Sequence, residues 1–377
     1  MDKTTKSRKR FLLGQLVSHG DCLYATAVAK QIKKDYPGCH LTWAISSYCR
    51  AILDGNPDVD EIWEIPMENT RNLVEDWKQF EMRARERKRK GEFDDLFLTQ
   101  YYPENLHHFD GLSRTTIFRG YPRPVTVPVN PVIRLREEEI RRVKEFAETY
   151  QLDPKKGVIL FECSARSGQS FVTPDFALQT SHALLKKNPN LTIILSSNQT
   201  IESGDHRIID GSRLTFRENA ELTRYCSLLV GCSSGISWLC TSDWAIPLPT
   251  VQLLRKGISP YASFVQDFKY RGVSTESIIE MTDCSAERVA GCLSTIFSKS
   301  FREARDAYHE ANPPTFNVYT DLFVELIKRK RPVELFQLIG TQIRRYGINA
   351  RFIGSHFELA RKAMQAIWLR SKAKRTV

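Results

Sequence analysis

The sequence predicts an α/β protein made of two domains, each built on a parallel sheet. Three observations predict this class. The chain has 377 residues, more than one ordinary core accommodates. Apolar, strand-like runs alternate with helical patterns in two separate series. A proline-rich stretch over residues 121–131 lies between them, and proline fits neither a helix interior nor a central strand.

The first series fills residues 11–98. The predicted strands are Phe11–Leu16, His40–Ile45, Val59–Ile65 and Phe93–Leu98, and the predicted helices are Cys22–Tyr36, Tyr48–Leu53 and 69–90. Pro37-Gly38 ends the first helix, because neither residue continues helical structure well. This alternation is typical of a parallel sheet with helices on both faces.

The second series follows the proline-rich stretch. The predicted helices are Glu137–Tyr150, Pro174–Lys187 and Glu218–Tyr225, and the predicted strands are Val158–Glu162, Leu191–Ser196 and Leu228–Val230. From about Ser285 the pattern is helical throughout. We therefore expect an N-terminal domain over residues 1–135, a second domain over 136–300 and a helical extension over 301–377.

Composition excludes several protein classes. Hydrophobic residues make up 41% of the chain and charged residues 26%, a normal globular balance. The basic N-terminus precedes an apolar run that is too short for a signal peptide, and no apolar stretch approaches the length of a membrane span. The nine cysteines form no CxxC pair, so we expect reduced thiols in a cytoplasmic protein.

Charge is concentrated at the C-terminal end. The formal net charge is +11, and residues 328–377 hold thirteen Lys and Arg against two acids, which accounts for the whole excess. This distribution indicates an anionic partner for the segment. Apolar residues follow helical spacing there: Phe357, Ala360, Met364 and Ile367, with Trp368 beside them. The stripe is typical of a helix lying on a membrane surface, and packing on the protein's own core is the alternative.

The first candidate motif is the turn Leu16-Val-Ser-His-Gly-Asp21, between a predicted strand and a predicted helix. Loops at the carboxyl ends of parallel strands are where α/β proteins bind ligands. Gly20 permits close approach of a substrate to the backbone. Asp21, near a helix N-terminus, is expected to stay ionised. The alternative is that Asp21 only caps the helix.

Two further loops are suited to anions. The loop Ser164–Ser170 carries several hydroxyl groups and the guanidinium of Arg166, which suit a nucleoside diphosphate. The stretch Val230–Trp238 ends a strand, turns through small residues and opens a helix, so its free N–H groups predict a phosphate site. The alternatives are a flexible polar loop for the first and simple serine capping for the second.

Other chemistry has less support. The sequence contains neither GxGxxG nor GxxxxGK[ST], which excludes a dinucleotide fingerprint and a P-loop. Asp58-Val-Asp60 resembles a metal-binding DxD motif, but it follows Asn56-Pro57, so we interpret it as part of a turn. His107-His108 has no partner at metal-ligand spacing.

The order of these motifs resembles glycosyltransferase family 9, the lipopolysaccharide heptosyltransferase family. The similar stretches are Leu16–Asp21, Ala25–Lys33, Tyr36–Ala44 and Gly55–Ile62 and, more loosely, Ser164–Phe176 and Glu221–Leu239. The specific part covers about the first 65 residues. The resemblance implies a GT-B fold, in which two Rossmann-like domains face each other across a cleft and the C-terminal helices return toward the N-terminal domain.

The sequence departs from the family at three positions. Ser233 occupies the position of the family's usual aspartate, and Trp238 that of its usual histidine. Phe171 occupies the position of the lysine in the family's phosphate loop. Arg166 offers a positive charge from the same loop. The departures fall in the predicted donor pocket, so the resemblance leaves the sugar open.

The resemblance implies an inverting, metal-independent transfer of a sugar from a nucleoside diphosphate to an acceptor hydroxyl, without a further cofactor. Asp21 matches the family's catalytic base, and Ser18, His19 and Gly20 of the same turn are expected to contact the acceptor. The expected donor contacts are Ser164, Arg166, Ser167, Gly168, Ser170, Ser233, Ser234, Gly235 and Ile236, with Glu202 as a candidate for the nucleotide ribose. The expected acceptor is a cell-envelope glycan or glycolipid.

Two alternatives stay open. One is a GT-B sugar-nucleotide epimerase, and the other is a non-catalytic GT-B-like scaffold that binds a glycan. The departures at Phe171, Ser233 and Trp238 make the scaffold credible. No nucleic-acid-binding motif accompanies the basic segment. From the reduced cysteines and the basic segment, we expect a cytoplasmic protein with residues 328–377 at the inner face of the membrane.

Overall fold

Two parallel sheets organise the protein. The computed structural model describes residues 8–103, 105–163, 168–256, 262–312 and 317–373. One sheet has four strands in the order β3-β2-β1-β4, and the other has six in the order β10-β9-β8-β5-β6-β7. All strand pairs are parallel, which confirms the predicted class.

The N-terminal sheet alternates with helices as predicted. Its strands are β1 (Arg10–Gly14), β2 (His40–Ser46), β3 (Glu61–Ile65) and β4 (Asp95–Leu98), and its helices are α1 (His19–Asp35), α2 (Leu73–Arg89) and α3 (Ser113–Arg119). Both faces of β1 are buried: Phe11 and Leu13 pack in the core beneath α1, whereas Leu12 packs with Trp77 and Phe80 of α2. This burial explains why β1 is a continuous apolar run rather than an alternating one.

The second sheet is larger than predicted. Its strands are β5 (Val158–Glu162), β6 (Thr192–Ser196), β7 (Ile208–Asp210), β8 (Leu228–Gly231), β9 (Thr250–Leu254) and β10 (Ile278–Thr282), and its helices are α4 (Glu137–Thr149), α5 (Pro174–Lys187), α6 (Glu218–Leu222), α7 (Gly235–Leu239), α8 (Phe264–Tyr270) and α9 (Ala286–Ser298). The sequence analysis missed β9 and β10, because each carries a fully buried polar residue, Gln252 or Glu280, within its apolar run. It also missed β7, which has only three residues.

The C-terminal helices divide between the two sheets. They are α10 (Phe301–Tyr308), α11 (Asn317–Lys328), α12 (Pro332–Tyr346) and α13 (Ala350–Ala373). Helix α10 packs on α9 and β10. The next helices return to the N-terminal domain, where Phe323 and Leu338 pack against Leu106 and Phe109. This return is the arrangement that the sequence analysis expected.

A buried guanidinium ties the two domains together. Arg217, just before α6, donates to the carbonyl oxygens of Ala51 and Asp54 at 2.8 and 3.1 Å, and to that of Arg134. It also pairs with Glu139 at 2.8 Å. Burial opposes ionisation of Glu139, but the guanidinium lowers the pKa of that carboxyl to about 2. The domain contact is therefore charged and fully paired at this point.

Helix α13 exposes part of its apolar stripe. Phe352, at 9% exposure, belongs to the core that α11 and α12 form with the N-terminal domain. Further along, Phe357 is 74% and Met364 64% exposed. The side chain of Ile367 lies outside what the structure describes. No helix within the described ranges is long and apolar enough to cross a membrane.

Candidate active site

The turn after β1 starts helix α1 without a side-chain cap. Ser18 is the capping position and has φ 70°, in the left-handed region that non-glycine residues rarely adopt. His19 is the first helical residue, and Asp21 lies in the first turn. Asp21 is therefore not the helix cap, which was the alternative to a functional role.

Neighbouring strands hold this turn in place. The side-chain oxygen of Gln100, just after β4, accepts hydrogen bonds from the amides of Leu16 and Val17 at 2.8 and 3.1 Å. The amide of Ser18 donates to the hydroxyl of Tyr48 at 3.1 Å. The sequence analysis missed both Gln100 and Tyr48. Their position directly after predicted strands was the available signal, since parallel strands end at the same edge of a sheet.

Asp21 faces a cavity of about 390 Å³. The cavity is lined by Val17, Ser18, Asp21, Leu73, Gln100, Tyr101, Tyr102, Leu106 and Leu322. Leu322 belongs to α11, so the C-terminal extension closes one side of it. Among the described residues, no group donates a hydrogen bond to the Asp21 carboxylate.

Burial changes the ionisation of Asp21. Desolvation, with a smaller contribution from Cys49, raises the pKa of this carboxyl from 3.8 to about 7. The expectation that Asp21 stays fully ionised is therefore wrong, because the cost of burial exceeds the benefit of the helix N-terminus. A carboxylate without a partner and with a pKa near neutrality is suited to proton transfer.

Two cysteines lie under the same turn. The Cys22 thiol points toward the carbonyl oxygens of Gln15 and Val17 at 3.8 and 3.5 Å. Burial opposes ionisation of the Cys49 thiol, but its interactions with Cys22 and His19 outweigh burial and lower its pKa. Sequence spacing did not indicate this pair, because Cys22 and Cys49 meet only through the contact of α1 with the segment after β2.

The other residues of the turn point toward the second domain. The His19 ring lies 4.8 Å from that of Phe216 and 5.6 Å from that of Tyr48. A side chain at Gly20 would come within 3.5 Å of Trp238. The structure thus brings Ser18 and Asp21 together in the cavity and places His19 and Gly20 at the domain contact.

The turn after β8 is occupied by a carboxylate. Glu162, the last residue of β5, is 1% exposed. Its oxygens accept hydrogen bonds from the amides of Cys232 and Ile236 at 2.8 and 3.2 Å. They also accept from the hydroxyls of Ser234 and Ser237. The groups predicted to bind a phosphate at Ser234 and Ile236 are therefore engaged within the protein.

Gly235 packs against side chains of both domains. A Cβ atom there would lie 2.9 Å from Phe216 and 3.0 Å from His19. The close approach that glycine permits here is consequently to protein, and Glu162 holds the neighbouring amide. The phosphate contact predicted for this turn stays a prediction, and it requires Glu162 to move aside.

Ser233 is also committed to internal contacts. It has φ 51° and is 2% exposed, and its hydroxyl donates to the carbonyl of Ala262. The segment Gly231–Gly235 follows the Gly-Xaa-Ser-Xaa-Gly pattern of hydrolase nucleophile turns, a signal that the sequence analysis missed. Because the hydroxyl is buried and donates to a carbonyl, this geometry does not present Ser233 as a nucleophile.

The loop before α5 is described only in part. Ser164, Arg166 and Ser167 lie outside the described residues. Gly168 has φ 75° and open space around its Cα, whereas the Ser170 hydroxyl donates to the carbonyl of Leu253 at 2.6 Å. Of the two predicted contacts that the structure describes here, Gly168 is accessible and Ser170 is buried.

Gln169 and Glu202 differ in surroundings. The side-chain amide of Gln169 donates to the carbonyl of Ser233 at 2.7 Å, which links the loop to the turn after β8. Glu202 is exposed on the loop after β6. Its predicted contact with a ribose stays a prediction.

Trp238, one of the three departures from the family pattern, packs at the contact between the domains. The Trp238 ring lies 3.8 Å from that of Phe264 and 4.7 Å from that of Tyr24 on α1. The guanidinium of Arg114 lies 4.3 Å from the Trp238 ring and pairs with Asp267 at 3.2 Å. The family's histidine position thus serves packing between domains in this chain.

Metal ligands are not clustered in the described part of the chain: it contains no group of three or more His, Cys, Asp or Glu that could hold an ion. Asp60 of the DxD-like segment instead accepts from the amide of Leu41 at 2.7 Å and pairs with Lys33 and Arg8. The interpretation of this segment as part of a turn agrees with these contacts.

Known proteins resemble this chain in fold. Neither protein-family models nor curated sequences match it. Among solved structures, it is similar to a family 9 glycosyltransferase from Veillonella parvula, at 15% identity over 79% of this chain and 93% of that one, with a TM-score of 0.53. This likeness shows a GT-B fold, as the sequence resemblance implied.

Two other solved structures are more distant in shape. The Escherichia coli ADP-heptose lipopolysaccharide heptosyltransferase II is 14% identical over 77% of this chain and 99% of its own, with a TM-score of 0.45. A UDP-N-acetylglucosamine 2-epimerase is 9% identical over 86% of this chain and 98% of its own, with a TM-score of 0.47.

Proposed function

We propose that this chain is an inverting glycosyltransferase that moves a sugar from a nucleoside-diphosphate donor to a hydroxyl of a cell-envelope glycan or glycolipid. The observation that carries the proposal is Asp21. Its carboxylate lines a cavity, accepts no hydrogen bond from the described residues and has a pKa of about 7. Such a group can take the acceptor proton near neutral pH.

In the proposed step, the acceptor oxygen attacks the anomeric carbon as Asp21 takes its proton. The bond from that carbon to the diphosphate breaks, and the configuration inverts. The acceptor would enter beside Ser18, with His19 and Gly20 shaping the side toward the second domain. The cavity volume, about 390 Å³, is sufficient for one or two sugar rings at its mouth.

The leaving diphosphate gathers negative charge that the second domain must stabilise. Arg166, Ser167 and Gly168 are the proposed contacts on the loop before α5, together with Ser164. The amide of Ile236 joins them only after the Glu162 carboxylate has moved away from it. Because a guanidinium and amides supply the positive charge, the proposed reaction needs no metal.

A membrane surface is the proposed location of the acceptor. Helix α13 exposes Phe357 and Met364, in a segment that carries the whole net charge. An apolar stripe flanked by Arg and Lys is typical of a helix at an anionic interface. The proposed setting is the cytoplasmic side of that membrane.

A non-catalytic scaffold is the second candidate, and one observation favours it. Glu162 already fills the turn that would hold a phosphate, and Gly235 packs against Phe216 and His19. In a scaffold, this buried network would only stabilise the second domain. The cavity at Asp21 would then bind a glycan without transferring a sugar.

The two candidates differ in donor binding and product formation. The test is thermal unfolding with a panel of nucleoside diphosphates, because a ligand that binds only the folded state stabilises it by about 2.7 kcal/mol at a hundredfold excess over its Kd. A diphosphate that binds is then assayed as its sugar conjugate with envelope extract, with and without EDTA. Sugar transfer that survives EDTA supports the proposal. Absence of any diphosphate binding contradicts it and favours the scaffold.

A further inference from the structure

A second cleft, separate from the Asp21 cavity, lies where three distant segments meet. Its volume is about 900 Å³. The walls are the segment from His107 to Pro122 in the N-terminal domain, helix α8 of the second domain and helix α12 of the extension. The residues that line it are not among those around Asp21.

Four cations converge on this cleft. Arg119, Lys269, Arg344 and Arg345 line it. One carboxylate faces two of them: Asp110 lies 2.5 Å from the Arg119 guanidinium and 3.1 Å from that of Arg345. Three positive charges are thus left uncompensated, because Asp110 neutralises one of the two guanidiniums and none of the described acids pairs with Lys269 or Arg344.

Asp110 has no capacity left for another cation. Its carboxylate is fully buried and accepts hydrogen bonds from the hydroxyls of Thr115 and Thr116 at 2.6 and 3.2 Å. It also accepts from the amide of Leu112 at 3.1 Å. The described acids therefore do not balance the positive charge of the cleft.

The cations are held in position. The Arg345 side chain is 8% exposed, and its guanidinium lies 3.6 Å from the centre of the Tyr270 ring. Lys269 immediately precedes Tyr270 on α8, and Arg344 precedes Arg345 on α12, so this contact fixes the spacing of both exposed cations. The backbone positions that carry the two cations are therefore set before an anion binds, which lowers part of the entropic cost of binding.

The histidines of the cleft add little charge at neutral pH. Burial, His107 and Arg119 together lower the pKa of His108 to about 4. Burial also lowers the pKa of His107. Both imidazoles are neutral at pH 7 and can donate a hydrogen bond to an oxygen ligand.

We propose that this cleft binds a ligand with two or more clustered phosphate groups, contacted by Lys269, Arg344 and Arg345. The volume exceeds what one phosphate fills and is suited to a phosphorylated sugar or head group. Guanidiniums bind phosphate oxygens in pairs, and convergent like charges in a cleft are stabilised by such a ligand. The site is independent of the proposed transfer reaction, because its residues lie outside the Asp21 cavity.

Direct binding of inorganic pyrophosphate tests the proposal. Isothermal titration at low ionic strength compares the full-length protein with the double variant Lys269→Gln/Arg344→Gln. Both residues are exposed and outside any described ion pair, so the variant is expected to fold normally. Loss of two charge-assisted contacts should weaken pyrophosphate binding by roughly tenfold or more.

The matched control is Lys186→Gln/Arg302→Gln, which removes one Lys and one Arg from exposed positions on α5 and α10. Its affinity for pyrophosphate should stay within about twofold of wild type. Absence of pyrophosphate binding to wild type would overturn the proposal. An equal loss of affinity in both double variants would also overturn it, because the effect would then reflect net charge alone.

Two further binding experiments identify the source of the phosphates. One uses a soluble hexose bisphosphate, and the other uses phosphatidylcholine vesicles that contain phosphatidic acid. Binding of either one that pyrophosphate displaces, and that Lys269→Gln/Arg344→Gln weakens, supports the site and assigns the ligand to that source. Binding of both that is unaffected by pyrophosphate and by the variant contradicts it. Neither outcome depends on sugar transfer.

Discussion

The turns after β1 and β8 share one plan and differ in outcome. Each follows a buried parallel strand and leads through a short segment, Gln15–Ser18 or Cys232–Ser234, into a helix. After β1, the Asp21 carboxylate faces a cavity without a described hydrogen-bond donor. After β8, the Glu162 carboxylate is buried and accepts from two amides and two hydroxyls.

The difference shows what makes a strand-to-helix turn reactive. A carboxylate that satisfies the turn's own donors stabilises the fold and leaves little for a ligand. A carboxylate deprived of donors costs stability and has a raised pKa, which prepares it for proton transfer. The proposed role of Asp21 is therefore catalytic, and that of Glu162 is structural.

The largest effect is expected at Asp21. Asp21→Asn keeps the side-chain shape but removes the base, so the rate of sugar transfer should fall by roughly 10²–10⁴. The measurement is product formation at saturating donor. The matched control is Asp175→Asn, an exposed acid in the first turn of α5, which should retain nearly full activity. Retention of more than about a tenth of the activity by Asp21→Asn would rule out the base.

Substitution of Glu162 should lower the stability of the protein, whereas substitution of Asp21 should lower its activity. Glu162→Ala leaves the buried amide of Cys232, the part-buried amide of Ile236 and two hydroxyls without their acceptor. This loss should lower the free energy of unfolding by roughly 3 kcal/mol or more. Glu162→Gln keeps one acceptor and should cost less. Urea denaturation measures both, with the exposed Glu287→Ala as a control. A stability equal to wild type in Glu162→Ala would show that the carboxylate is free for another role.

A change of pH should have a smaller effect on the rate of sugar transfer than the substitution of Asp21. Because Asp21 must be ionised to act as a base and its pKa is about 7, its active fraction rises with pH. The transfer rate should increase about tenfold between pH 6 and pH 8. The measurement is kcat/KM across this range. A flat profile would indicate that no group of this pKa limits the reaction.

Much of the fold could be predicted from the sequence, for a physical reason. Strands such as Val158–Glu162 are buried on both faces, so they read as continuous apolar runs. The strand β10 was missed because Glu280 sits inside it. That carboxylate accepts from the Ser263 hydroxyl at 2.8 Å and from the Val265 amide at 3.1 Å, contacts that no local pattern reveals.

The candidate site was predictable only in part. The position of Asp21 follows from strand-to-helix order, but its ionisation depends on surroundings supplied by residues as distant as Leu322. Likewise, the sequence indicated free N–H groups after β8, and only the fold shows that Glu162, about seventy residues earlier, accepts from them. Burial and partner choice are tertiary properties, so spacing alone could not separate the two turns.

The most direct test of Asp21 needs no substrate. Because its pKa is raised on folding, the wild-type contribution to stability is present at pH 4 and is lost as pH rises through about 7. The measurement is the free energy of unfolding of wild type and Asp21→Asn at pH 4 and pH 8. The expected result is that the variant gains on wild type by up to about 4 kcal/mol over this range. A difference that does not change with pH would contradict a raised pKa for the half-buried Asp21 carboxyl.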